Sequence, residues 1–239
     1  WIQYSFDQAY KLHELWAWNS NQMIENFVGL GAKDVSIEIS TDGANWTLLE
    51  DTPPLAQAPG QAGYTHNTTI DLQGVLAQHV RLNIHAGYGM LPQYGLSEVR
   101  FFYIPTVARE PQPADGEAVT TADVTLSWRA GREAAAHEVY LGTDSANLPL
   151  VQTTTSAKVA VGPLDYGSTY FWQIVEVNEA EDPAAYASDI WSFSTPAYGV
   201  VDNFDQYDDD CQRIFFVWLD GLGHNGGADL ENCEAPPYN

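Results

Sequence analysis

One stretch limits what this chain can fold into more than any other. Apolar Val35, Ile37 and Ile39 alternate with polar Ser36, Glu38 and Ser40, the run breaks at Asp42-Gly43, and it resumes at Trp46. Alternation at period two argues a half-buried strand, and an Asp-Gly step between two such runs is the strongest short-range hairpin signal. Antiparallel sheet follows, with one face buried and one wet.

The same grammar recurs along the first hundred residues. Strands are predicted over 2–6, 12–18, 35–39, 68–72, 80–84 and 99–103. In one of them Val80, Leu82 and Ile84 face one way while His79, Arg81, Asn83 and His85 face the other. The segments between are long, at 19–31, 52–67 and 86–95, and loops of that length on a sheet scaffold are where binding usually sits. Beyond them, residues 109–116 (Arg-Glu-Pro-Gln-Pro-Ala-Asp-Gly) read as a Pro-rich linker. Short strands then follow near Val124, His137, Lys158, Thr169 and Ile190, the spacing of a second sandwich. A chain of 239 residues has room for about two ordinary domains.

Charge sets the exclusions. Thirty-two acids stand against nine bases, a net of −23. Residues 1–104 carry 10 acids and 4 bases, 105–196 carry 13 and 4, and 197–239 carry 9 and 1. Such a surface repels phosphate backbones and anionic lipids, so neither nucleic-acid binding nor membrane insertion is expected. A solubilising acidic coat accounts for the imbalance, with calcium uptake by some carboxylates as the sharper alternative. The two cysteines, Cys211 and Cys233, lack zinc-site spacing. A disulfide in an exported protein is the better reading, worth about 3 kcal/mol by loop entropy. The chain starts at Trp1 without a signal peptide and reads as a mature or excised piece of something longer.

Four motifs in order carry a resemblance. Trp1-Ile-Gln-Tyr-Ser-Phe6, the stretch from Gly31 to Thr47, Val80-Arg-Leu-Asn-Ile84 and Gly95-Leu-Ser-Glu-Val-Arg-Phe-Phe102 resemble the discoidin family, also called coagulation factor 5/8 type C, which overlaps many carbohydrate-binding modules. That resemblance implies a jelly-roll β-sandwich over 1–104, incomplete at its start. It also implies a structural calcium ion, with Glu98 as one ligand. Residues 105–196 resemble a fibronectin type III sandwich, on the Trp128 strand, Tyr140 and the tyrosine-corner stretch from Leu164 to Tyr170. Residues 197–239 are similar to the opening of a concanavalin A-like (laminin G-like) domain. The fold class is all-β: two successive sandwiches and a partial C-terminal β segment.

No metal spacing joins the six histidines, and no nucleophile elbow, phosphate loop or dinucleotide fingerprint occurs. A non-catalytic chain is expected. Sugar rings stack their C–H faces on aromatic side chains while amides and imidazoles satisfy hydroxyls. On that chemistry the contact candidates are Trp18, Asn19 and Asn21 in the first loop region and His85, Tyr88 and Tyr94 in the last. Against this, Trp16 and Trp18 alternate as core residues do, the two tyrosines could cover a core edge, and Trp46 after its turn reads as packing. Asp208-Asp209-Asp210 lacks calcium-loop spacing and reads as a solvated turn.

The leading function is extracellular or cell-surface adhesion, with the first module holding a glycan or cell-surface polysaccharide and the second setting spacing. Two other readings stand beside it. One is a structural segment of a large surface or filament-forming protein that contacts neighbouring copies or domains. The other is the accessory region of a polysaccharide-degrading enzyme whose catalytic domain lies outside this chain.

Overall fold

The structure is a computed structural model, and it describes residues 1–207. Asp208–Asp210, Cys211, Cys233 and most of the expected third domain lie outside the described residues.

The first sandwich is one sheet folded over its own core. Its strands are β1 (Ile2–Asn19), β2 (Ala32–Ser40), β3 (Thr47–Leu48), β4 (Thr68–Gly87) and β5 (Leu96–Tyr103), in the order β3-β2-β4-β1-β5, with a single turn of helix, α1 (Glu25–Val28), in the first loop. Where the sequence suggests pairs of short strands, β1 and β4 each run through as one long strand. Ile2–Ser5 pairs with Leu82–His79, the register shifts, and Tyr10–Ala17 pairs with Ala77–Thr68. β2 joins only the second half of β4, and β5 only the second half of β1. Leu12, Leu15, Ile70 and Leu72 from one half then share a core with Ile37, Val80 and Leu82 from the other. Each such side chain contributes about 1.5–3 kcal/mol by leaving water.

The second sandwich pairs two sheets. β6 (Arg109–Gln112), β8 (Val124–Arg129) and β11 (Lys158–Val161) form one, in the order β11-β8-β6. The other runs β10-β9-β12-β14-β7, from β7 (Glu117–Ala118), β9 (Ala136–Gly142), β10 (Leu150–Thr154), β12 (Thr169–Val177) and β14 (Trp191–Ser194), with β13 (Ala185–Ala187) paired to β12. Trp128, Trp172, Trp191 and Phe193 fill the core between the sheets. The Asp165 N–H donates to the Tyr170 hydroxyl at 3.1 Å, the geometry of a tyrosine corner. Tyr140 departs from the expected central position: it lies on the opposite strand face from Val139 and Leu141 and donates to Glu138 at 2.8 Å.

The stretch at 109–116 is not a linker throughout. Residues 109–112 form β6, and Ala108 is already buried in the second core. Pro111 sits on an edge strand, where a missing N–H costs no ladder bond, and Pro113 follows the strand's end. The two sandwiches also touch directly. Lys11 of β1 is buried, and its ammonium lies 2.5 Å from Glu133 and 2.6 Å from Glu181 of the second sandwich. Burial opposes the charge on Lys11, but the hydrogen bonds and charges of the two glutamates outweigh it and raise its pKa.

Candidate functional site

The three long loops of the first sandwich meet at one end and are knitted together from within. Asn19 is fully buried (0 % exposed) at the end of β1. Its amide donates to the carbonyls of Ala32 (2.7 Å) and Ala56 (2.8 Å), and its oxygen accepts from the N–H groups of Ser20 and Ala32, each at 2.9 Å. One side chain thereby joins β1, β2 and the loop that follows β3. Asn21 repeats the device one turn outward, accepting from Gly60 and Gln61 and donating to the Gln61 carbonyl at 2.6 Å.

Further bonds close the assembly. Tyr64 donates to the Asn19 carbonyl and Tyr88 to the Leu55 carbonyl, at 2.8 and 2.7 Å. Burial first, and then the Glu25 charge, raises the Tyr64 phenol above its ordinary value. Glu25 is itself fully buried and accepts from the Gly31 N–H at 2.8 Å. The first and last loops run against each other at Gly29 and Gly89, where the Gly89 N–H donates to the Gly29 carbonyl at 2.8 Å. A Cβ at Gly89 would stand 1.8 Å from the Val28 carbonyl oxygen, so only glycine permits this approach.

These contacts correct several sequence expectations. Asn19 and Asn21 are scaffold: their amides are committed to backbone partners, and Asn19 has no exposed surface with which to meet a glycan. Tyr88 braces the loop that follows β3. Tyr94 lies over Gly87 and keeps 38 % of its surface exposed. His85 is exposed on the flat of β4, 2.8 Å from the Ser36 hydroxyl, and not in the loop. Trp16 and Trp18 are not core; Leu15 and Ala17 take the inward face. Trp16 stacks on His66 at 4.0 Å between ring centroids, and Arg100 lies over Trp18 at 4.8 Å. Trp46 does pack, but on the Arg81 guanidinium, 3.8 Å from the ring centroid, on the outer face of β4.

Glu98 stands opposite Trp18 in register and lies 2.5 Å from the Arg100 Nε. A calcium ion takes six to eight oxygen ligands. Among the described residues no group of three or more His, Cys, Asp or Glu gathers to hold a metal. The surroundings of Glu98, one carboxylate already neutralised by a guanidinium, do not fit the ion.

The outward surface of the loop end has a composition of its own. Met23, Phe27 and Met90 are 88, 91 and 102 % exposed, and Ile24, Leu91 and Tyr94 are also exposed. Around them stand the exposed amides of Gln22, Gln61 and Gln93. Across loop residues 19–31, 52–67 and 86–95 the one charged side chain is Glu25, which is buried. At the chain's average of 17 % charged residues, these 39 positions would hold about seven. Single exposed apolar residues are ordinary, whereas a group of them rimmed by polar side chains marks an interaction surface.

No family model and no curated relative matches the chain. Solved structures do. An Fn3-like protein from Clostridium thermocellum aligns at 16 % identity over 41 % of this chain and 99 % of its own, with a TM-score of 0.32. The sixth fibronectin type III domain of a human fibronectin type III domain-containing protein aligns at 12 % identity over 41 % of this chain and 92 % of its own, at 0.34. A β-1,2-glucanase from Parabacteroides distasonis aligns at 14 % identity over 82 % of this chain but 29 % of its own, at 0.31. Fibronectin type III-like neighbours thus cover about 40 % of the chain, and the discoidin and concanavalin A-like resemblances are not shown by them. Among the described residues, no helix is long and apolar enough to cross a membrane.

Proposed function

We propose that this chain is a non-catalytic attachment segment working outside the cell. Its first sandwich holds carbohydrate through the loop end, and its second sets the spacing to whatever follows. The observation that carries this reading is the loop end itself: three loops locked by Asn19, Asn21, Tyr88 and the Gly29–Gly89 contact, presenting exposed rings and amides with no exposed charge. Rings cover the C–H faces of a sugar, amides satisfy its hydroxyls, and a scaffold fixed in advance lowers the ordering cost of binding.

The loop end's carboxylate and imidazole are those of Glu25, sealed behind Gly31, and His66, stacked on Trp16. Neither is placed as half of an acid–base pair across a glycosidic bond. Lys11, held between Glu133 and Glu181, supports the spacer role by tying the second sandwich to the first. A glycan array probed with the full chain, followed by calorimetry on the hits, tests the reading. Binding that a Phe27→Ala/Tyr94→Ala variant loses is expected, and no binding to any arrayed, soluble or insoluble glycan would end it.

A further inference from the structure

The side chains at the loop end protrude and do not line a cleft. At 88, 91 and 102 % exposure, Met23, Phe27 and Met90 have almost no protein surface against them. Sites that enclose a small soluble ligand are concave and bury most of it. Here a free oligosaccharide could meet each side chain on one face only, while still losing its own chain freedom on binding. A polymer packed into a solid has lost that freedom beforehand, and it offers a broad surface to every loop at once.

Charge narrows the ligand further. The loop end carries no exposed charge, yet it sits on a sandwich with 10 acids against 4 bases. A polyanion approaching it gains no ion pair at the surface and meets the repulsion of the body behind it, within a Debye length of about 8 Å at physiological salt. An uncharged polymer meets neither effect. Weighted by their exposed fractions, the six apolar residues present on the order of 800 Å², taking about 200 Å² for each when fully exposed, comparable with one partner's share of a standard interface.

We infer that the loop end formed by residues 19–31, 52–67 and 86–95 binds the surface of an uncharged, solid-phase polysaccharide, in preference to soluble oligosaccharides or to anionic glycans. The inference rests on the attachment reading above and specifies its ligand.

The test is a depletion assay with the full chain against insoluble cellulose, chitin, curdlan and mannan. Each is set beside its carboxymethylated counterpart and its soluble hexasaccharide. The expected result is depletion by at least one neutral solid, about tenfold weaker on the carboxymethylated form at low salt, with the gap closing near 0.5 M NaCl as repulsion is screened. The soluble hexasaccharide should not compete at millimolar concentration. A Phe27→Ser/Met90→Ser variant of unchanged thermal stability should lose the depletion; retention would place binding elsewhere and overturn the inference. Equal or tighter binding of the soluble or anionic forms would overturn it while leaving carbohydrate attachment intact. Binding to none of these materials would remove both. Sedimentation showing a dimer that the same variant breaks would assign the surface to a second copy of the chain and also overturn it.

Discussion

Replacing Asn19 by alanine should unravel the loop end from inside. The side chain is fully buried and makes four hydrogen bonds, to groups of Ser20, Ala32 and Ala56. At about 1 kcal/mol net for each bond, the loss is about 4 kcal/mol, because the backbone groups left behind have little access to water. For a domain of about 100 residues this lowers the midpoint of thermal unfolding by about 20 °C. Asn19→Asp keeps both acceptor bonds, loses both donor bonds and adds a buried charge, so it should be at least as damaging. Asn21→Ala, half-exposed, should cost only about 1 kcal/mol. Urea unfolding of the full chain, read by hydrogen exchange on β1 and β4 peptides, assigns the loss to the first sandwich. A change below about 1 kcal/mol for Asn19→Ala would refute the idea that this amide holds the loops.

Other consequences follow from the same contacts. Lys11→Met leaves Glu133 and Glu181 without their shared cation, so X-ray scattering should show a larger maximum dimension as the sandwiches separate. Because the Lys11 pKa is raised on folding, this contact contributes fully at neutral pH and is lost as pH rises past the ordinary lysine value of 10.5. A Lys11→Met variant whose scattering curve matches that of the unaltered chain at pH 7 would contradict it. In the second core, Glu176 accepts from Gly131 and bonds the His137 imidazole, with 2 % and 6 % of the two side chains exposed. Glu176→Ala should cost the second sandwich about 3–5 kcal/mol, and Glu176→Gln, which keeps the Gly131 bond, clearly less. The Asn45 N–H leads the groups that hold the Asp42 carboxyl well below the usual carboxylate range, followed by the Asn45 amide, the Ala44 N–H and Ser40. Its contribution is present above the ordinary Asp pKa of about 4 and is lost as pH falls toward the depressed value, so Asp42→Asn should flatten the acid limb of a stability–pH curve.

How much of this the residues reveal in advance depends on how local the cause is. The hairpin from Val35 to Thr47 is legible because its determinants are neighbours: Ser40 and Asp42 close the turn with bonds to residues two or three positions away. The face on which Trp16 and Trp18 lie is not legible. Leu15 and Ala17 give the opposite face an equally apolar character, and a one-residue change of register exchanges the two. The role of Asn19 is hidden because its partners lie 13 and 37 residues away. Lys11 is a still more distant case, meeting Glu133 and Glu181 across 122 and 170 positions. The loop end itself left a signal that needed only counting, namely long segments without exposed charge in an acidic chain. The proline-rich stretch at 109–112 misleads because an edge strand tolerates proline as readily as a linker does.

The most direct test of where attachment occurs is a hydrogen-exchange footprint of the full chain bound to an insoluble neutral polysaccharide that depletes it. Peptides covering 19–31, 52–67 and 86–95 should gain protection, with the second sandwich exchanging as in the free protein. Protection confined to the outer sheet face around Trp46 and Arg81, or to the second sandwich, would contradict the account.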